Sequence, residues 1–235
     1  MKIDINIGRN FTRLNVDEVV IVCHGLPYEP GSAIEKSYDF IAEYFSKRGY
    51  PALIFDFTGT GRSRGDFSLL KWYEDLEIIS ENFERFHLVG FSMGGAVAYS
   101  LEGAESYSII SSPFDLSLFT EESLRGIYSN AILKRTLKGL RDYEIFRKRI
   151  LDEFEIICPS SAPAKSDVLV VHGTEDDVVP FSHGVKIYEK SKAPKKFVKV
   201  ENGDHFLRKN RSIIGLAYRW ISEKREGESV ENIRI

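Results

Sequence analysis

Glutamine is absent from the 235 residues, and methionine, tryptophan and cysteine occur only twice each. Labile side chains are therefore scarce while Lys, Arg and Glu are abundant, a composition expected of a thermophile. Cys23 sits inside an apolar run and Cys158 beside Pro159, far apart and in no metal-ligand spacing. This excludes a disulfide-stapled miniprotein and a cysteine-based metal centre, and suits two buried thiols in a reducing compartment. No apolar run approaches the roughly 18 residues of a membrane span. Met1 to Ile7 alternates polar and apolar residues where a signal peptide needs an uninterrupted apolar stretch. The sequence thus predicts a soluble, cytoplasmic chain with no integral membrane segment. A surplus of one charge is missing too: 32 Lys and Arg face 35 Asp and Glu, a formal net charge of -3. Without a basic excess to release phosphate counterions, a general nucleic-acid binder is excluded.

What is present is a chain 43% hydrophobic and 29% charged, enough for one core that buries roughly 70% of the unfolded surface. Two short strands around a turn at Gly8-Arg9-Asn10 open it, the second from Phe11 to Asn15. Val19 to Cys23, Ala52 to Phe57, Phe86 to Val89, Tyr107 to Ile110, Val168 to Val171 and Phe197 to Val200 are nearly all apolar. Such continuous runs are strands covered on both faces, hence a parallel sheet. Helical periods separate them at Ile34 to Lys47, Leu69 to Phe83, Ser92 to Leu101, Val185 to Ser191 and Ile213 to Glu223. The alternation predicts an α/β fold, a mostly parallel doubly wound sheet with helices on both faces. Residues 113–161 break the rhythm with no strand signal, but Leu124, Ile127, Tyr128, Ala131 and Ile132 recur at helical spacing. The expected organisation is a core of residues 1–112 and 162–235 with a small helical cap at 113–161. The polar stretch from Lys224 to Ile235 reads as a frayed end.

Gly-x-Ser-x-Gly occurs twice, at Gly90-Phe91-Ser92-Met93-Gly94 and at Gly61-Arg62-Ser63-Arg64-Gly65. A nucleophile elbow needs a buried strand running into the turn and a helix leaving it. Phe86 to Val89 and Gly95 to Tyr99 supply both for Ser92. Ser63 is separated from its strand by Thr58-Gly59-Thr60 and reads as part of a loop. A serine nucleophile needs an imidazole to take its proton and a carboxylate to orient that imidazole. Of the five histidines, His87 lies at the far end of its strand, His24 and His172 close strands as His-Gly anchors, and His183 opens a helix. His205, in a glycine-containing loop after the last of these strands, is the best base. The acid belongs on the preceding loop, where Glu175, Asp176 and Asp177 are adjacent and periodicity does not rank them.

Together these motifs resemble the α/β-hydrolase superfamily, in its order of Ser, acid and His. His172 to Pro180 is similar to the family's His-Gly-x-x-Asp-x-x-Val-Pro pattern, which places the acid at Asp176. Gly203-Asp204-His205-Phe206 resembles its terminal histidine loop. His24-Gly25-Leu26 resembles its oxyanion loop, implying that the backbone N–H groups of Leu26 and Met93 hold the oxyanion. Asp56 to Ser63 is similar to the family's Asp-x-x-Gly-x-Gly-x-Ser loop, with Thr60 where His is often found. The helical insertion looks like the cap of small carboxylesterases, including feruloyl-type esterases, and of monoacylglycerol lipases. The serine separates the chain from dehalogenases and dienelactone hydrolases of the same fold. The resemblance implies hydrolysis of a small-molecule carboxylic ester without cofactor or metal. A peptidase or thioesterase, or a non-catalytic binding module on the same scaffold, stays as an alternative, and homo-oligomer formation is left open. Between Lys134 and Arg149, seven basic residues (Lys134, Arg135, Lys138, Arg141, Arg147, Lys148, Arg149) face two acidic ones (Asp142, Glu144). This is read as a solvated helix face or, alternatively, as a preference for anionic acyl groups or an anionic surface. The composition itself predicts a thermal midpoint above the mesophile range of about 45–65 °C, which a calorimetric scan measures.

Overall fold

The structure, a computed structural model, describes residues 2–5 and 16–235. The second opening strand expected at Phe11 to Asn15 lies outside them. Eight strands form one sheet: β1 (Lys2–Ile5), β2 (Glu18–Cys23), β3 (Ala52–Phe55), β4 (Arg85–Phe91), β5 (Ser106–Ile110), β6 (Val168–Gly173), β7 (Lys195–Glu201) and β8 (Glu228–Arg234). Their order is β1-β3-β2-β4-β5-β6-β7-β8, and every pairing among the described residues is parallel. Apolarity is continuous in the inner strands because alternate residues enter two different cores. Along β2, Val19, Ile21 and Cys23 join one layer while Val20 and Val22 join the other.

The second of those layers is covered by α1 (Asp39–Ser46), entered through a π-helical turn at Ile34–Tyr38, and by α7 (Arg211–Ser222). The first is covered by α2 (Leu69–Ser80), α3 (Met93–Ser100), α5 (Tyr143–Ile157) and α6 (Phe181–Lys190). Residues 113–161 thus contribute to the body of the fold: α5 buries Phe146, Ile150, Phe154 and Ile157 in the core shared with α2 and α3. The remaining helix, α4 (Glu121–Lys134), buries only Leu124 and Ala131.

The polar end of the chain corrects the expectation of fraying. Glu228–Arg234 pairs with β7 over its whole length, and Glu231 bonds Lys196 at 2.6 Å and Arg234 bonds Glu201 at 2.9 Å. As an outermost strand it needs no apolar alternation, which is why periodicity conceals it.

Three ties fix the loops at the carboxyl edge of the sheet. Asp56 is a hub: its carboxylate accepts from the Ala33 N–H at 2.7 Å and the Arg62 N–H at 2.8 Å. The Ser63 hydroxyl donates to the Asp56 carbonyl, and Ser63 is buried, so its glycine-flanked motif is structural. Lys138 is the second tie, donating to the carbonyls of Gly61 and Ser63 at 2.8 and 2.6 Å. The third is His24, whose Nε2 accepts the Phe57 N–H at 3.1 Å while its Nδ1 donates to the Gly25 carbonyl at 2.7 Å. Burial, reinforced by Lys36 and Arg208 and opposed by the Gly25 bond and Asp56, pushes the His24 pKa down from 6.5 to about 4.

Two measurements test this packing. Phe154→Ala is expected to cost about 3–5 kcal/mol in denaturant unfolding, the range for a buried aromatic. Leu133→Ala, at a position 82% exposed on α4, is expected to stay within about 0.5 kcal/mol of the parent. The second follows from His24. The unfolded chain takes up a proton at its ordinary pKa of 6.5 and the folded chain only near 4, so stability is complete above the first value and declines towards the second. Burial lowers His87 and His183 in the same direction. The urea midpoint is therefore expected to drop between pH 7 and pH 4.5, with His24 alone contributing about 3 kcal/mol over its full window. A constant midpoint would contradict the buried neutral imidazole.

Candidate active site

β4 ends directly in Ser92, and α3 begins at the next residue. The serine has φ 52° and ψ -128°, a region that costs a non-glycine residue about 1–3 kcal/mol. Its N–H is fixed on the Ile110 carbonyl at 2.9 Å. The glycines around it are required by contact rather than by flexibility. A Cβ at Gly90 would lie 2.5 Å from the Cα of Gly95, and one at Gly94 only 2.2 Å from the His24 carbonyl oxygen.

Two further loops approach the serine from β6 and β7. They lie against each other, since a Cβ at Gly173 would come within 2.2 Å of the Gly203 carbonyl, and the Glu175 N–H donates to that same carbonyl at 3.0 Å. The structure brings Asp176, His205 and Ser92 into one hydrogen-bonded line. His205 Nδ1 lies 2.9 and 3.0 Å from the two carboxylate oxygens of Asp176, and His205 Nε2 lies 3.1 Å from Ser92 Oγ. A carboxylate only accepts, so Nδ1 carries the proton and Nε2 is free to accept from the hydroxyl. Glu175 and Asp177 are exposed while Asp176 is buried, which ranks the three adjacent acids as periodicity did not.

Burial works against the charge on Asp176. It is outweighed by His172, His205 and the backbone N–H of Val179, which hold the carboxyl well below the usual carboxylate range. Val178 and Val179 donate to Oδ1 at 3.0 and 2.8 Å. His172 Nε2 is shared between the Val179 carbonyl at 2.8 Å and Asp176 Oδ2 at 3.4 Å. The other histidines are engaged elsewhere. His87 bonds Ser106 and Glu18, and His183 accepts from the Phe114 N–H.

Leu26 lines a cavity of about 340 Å³ beside Ser92 and His205. Met93 is the first residue of α3, with its side chain buried. No hydrogen bond from either N–H to the protein is found among the described residues. None of the cavity walls comes from residues 113–161. They come from the chain after β2, with Tyr28, Lys36 and Tyr38, from Ser111 after β5, and from Phe206 and Arg208 after His205. None of the seven basic residues between Lys134 and Arg149 is among them. Arg147, Lys148 and Arg149 pair with Glu121, Asp152 and Glu153, Lys138 holds a loop, and Lys134 lies 3.9 Å over the Tyr28 ring. Sequence reasoning missed Lys36, Ser111 and Arg208. Their one common signal is position just beyond the carboxyl ends of strands, where open α/β sheets bind ligands.

No group of three or more His, Cys, Asp or Glu residues able to hold a metal ion is found among the described residues, and none of their helices is long and apolar enough to cross a membrane.

In sequence, the chain is 26% identical over 211 residues to YqkD of Bacillus subtilis (strain 168), a protein described as uncharacterized. The match covers 80% of this chain and 65% of that protein, so the chain spans slightly less than two thirds of this relative's length. Among solved structures it resembles MGS-M2, an alpha/beta hydrolase enzyme from a Medee basin deep-sea metagenome library, with a TM-score of 0.63, 15% identity and coverage of 93% and 94% of the two chains. Est1E from Butyrivibrio proteoclasticus, solved with ferulic acid bound, superposes with a TM-score of 0.59 at 19% identity, covering 89% and 92%. At such identities the likeness is one of fold. The sequence profile of the Alpha/beta hydrolase family matches residues 20–154, more than half of the chain, and the protein belongs to that family.

Proposed function

We propose that this hydrolase cleaves carboxylic esters through an acyl-enzyme, with Ser92 as nucleophile, His205 as general base and Asp176 as the group that orients and stabilises His205. The observation that carries the reading is the line from Asp176 through His205 to Ser92, at 2.9 and 3.1 Å, ending on a serine held in a strained elbow. His205 Nε2 removes the Ser92 proton as Oγ attacks the ester carbonyl. The collapsing tetrahedral adduct expels the alcohol, which takes that proton from His205, and water repeats the cycle to release the acid. Asp176 stays ionised throughout, consistent with its depressed pKa.

The backbone N–H groups of Leu26 and Met93 serve as the oxyanion hole, each donor contributing about 3–4 kcal/mol if it follows the usual cost of removing one. No metal or cofactor enters this sequence of steps. The cavity of about 340 Å³ lies near the lower end of ligand sites and favours a short acyl chain. Within residues 113–161 the cap function falls to α4, since α5 belongs to the layer beneath. Asn130 on α4 donates to the Tyr28 carbonyl at 3.2 Å, joining that helix to the cavity wall.

Ser92→Ala is expected to lower hydrolysis of p-nitrophenyl butyrate about a thousandfold or more and to abolish labelling by a fluorophosphonate probe. Ser63→Ala loses a structural hydrogen bond worth about 1 kcal/mol and keeps both. Labelling of Ser92→Ala at the parent rate would refute the assignment.

A further inference from the structure

Arg208 and Lys36 stand together on the wall of the cavity beside Ser92, and neither has a carboxylate partner among the described residues. Several other partly buried cations are ion-paired, Arg225 with Asp167 at 2.8 Å, Lys196 with Glu231 at 2.6 Å and Lys186 with Asp115 at 2.8 Å, whereas Lys138 and Lys190 are taken up by backbone carbonyls. Arg208 is held by one amino group, which donates to the Lys36 carbonyl at 3.0 Å, and by its stack 4.9 Å over the Tyr38 ring. Its remaining N–H groups have no protein acceptor among the described residues, leaving an oriented, half-occupied guanidinium fork. Lys36 is half-buried, and among the described residues its ammonium donates to the Gly31 carbonyl.

The acidic residues of the same cavity do not neutralise the pair. Glu35 is bound to Arg62 at 3.1 Å and to the Ser32 N–H at 2.6 Å, and Glu29 is exposed at the rim. A third feature is independent of charge. Ser111, 2% exposed and at φ 49°, lies in the wall of this cavity, and its hydroxyl, closed off just behind that wall, bonds nothing among the described residues. Two neighbouring cations without carboxylate partners, on the wall that also holds Ser111, form an arrangement that a bound carboxylate would complete, since a guanidinium fork matches its planar geometry.

We propose that the preferred substrates are esters bearing a free carboxylate, such as half-esters of short dicarboxylic acids, with Arg208 and Lys36 as the residues that determine this specificity. The proposal rests on the hydrolase reading for the ester, and on the cavity wall alone for the anion. In the empty cavity, burial lowers the affinity of Lys36 for its proton and the neighbouring Arg208 lowers it further, against the pull of Asp56 and Glu35. A carboxylate between the two cations removes that repulsion.

The test compares the p-nitrophenyl monoester of glutaric acid with its methyl ester, which has the same chain without the charge. The acid is expected to have a kcat/KM at least about tenfold higher at low salt, an advantage reduced about tenfold or more in Arg208→Met. Lys36→Met is expected to reduce it too, and added salt to shrink it. Lys71→Met, on the exposed side of α2, tests whether any lost cation has the same effect and is expected to leave the ratio unchanged. Calorimetric binding of both compounds to Ser92→Ala protein, with and without Arg208→Met, reads the anion site without turnover. Equal affinity for acid and methyl ester, or an acid preference that survives both Arg208→Met and Lys36→Met, overturns the proposal. Selective binding of the acid by a protein that never hydrolyses it upholds the anion site and removes the esterase reading instead.

Discussion

No side chain fits between the start of α3 and the chain leaving β2. Gly94 meets the His24 carbonyl, Gly90 meets Gly95, and a Cβ on Gly25 would come within 2.8 Å of the Ser92 Cβ. This backbone-to-backbone approach is the constraint on which the site depends. It sets Leu26 beside the elbow, lets α3 start immediately after β4 and forces Ser92 to positive φ. The strain of that conformation is offset by the burial around it, for Met93, Ala96, Val97 and Tyr99 are almost wholly withdrawn from solvent and a buried Met or Val side chain contributes about 1.5–3 kcal/mol. The opposite side of the site follows the same rule, with Gly173 against Gly203 setting the acid and base loops in contact.

Which parts of this were legible in the sequence follows from how local each cause is. Inner strands read clearly because both faces are covered, so every residue from Val19 to Cys23 is apolar. β8 did not, because an outermost strand exposed at every residue but the half-buried Ile233 carries no periodic signature, and its partner lies beyond a whole helix. Ser92 was distinguishable from Ser63 because an elbow is a contiguous strand, turn and helix. Asp176 was separable from its neighbours only through a family pattern, since burial at a loop depends on what packs over it. Lys36 and Arg208 meet across 172 positions of chain, and no pattern within either segment announces the other.

Charge illustrates the same point. The sequence concentrates its basic excess between Lys134 and Arg149, yet five of those seven side chains are spent on ion pairs, a loop anchor and an aromatic ring. The cations facing the cavity lie outside that stretch, Lys36 beside Glu35 and Arg208 in the short basic run Arg208-Lys209-Asn210-Arg211. A net charge of -3 describes solubility and long-range field, whereas recognition depends on which few charges lack partners.

The Lys138 ammonium, lodged on the carbonyls of Gly61 and Ser63, has a consequence for how this protein can be rebuilt. An insertion attached only at its two ends could be exchanged between relatives as a cassette, bringing a new specificity to an unchanged scaffold. Here the Phe67 N–H also donates to the Lys138 carbonyl, and the Lys138 N–H to that of Gly59, so the insertion and the loop after β3 share one hydrogen-bonded seam. An exchange of the segment around Lys138 therefore has to take residues 56–67 along with it, because the two share backbone bonds that neither can make alone.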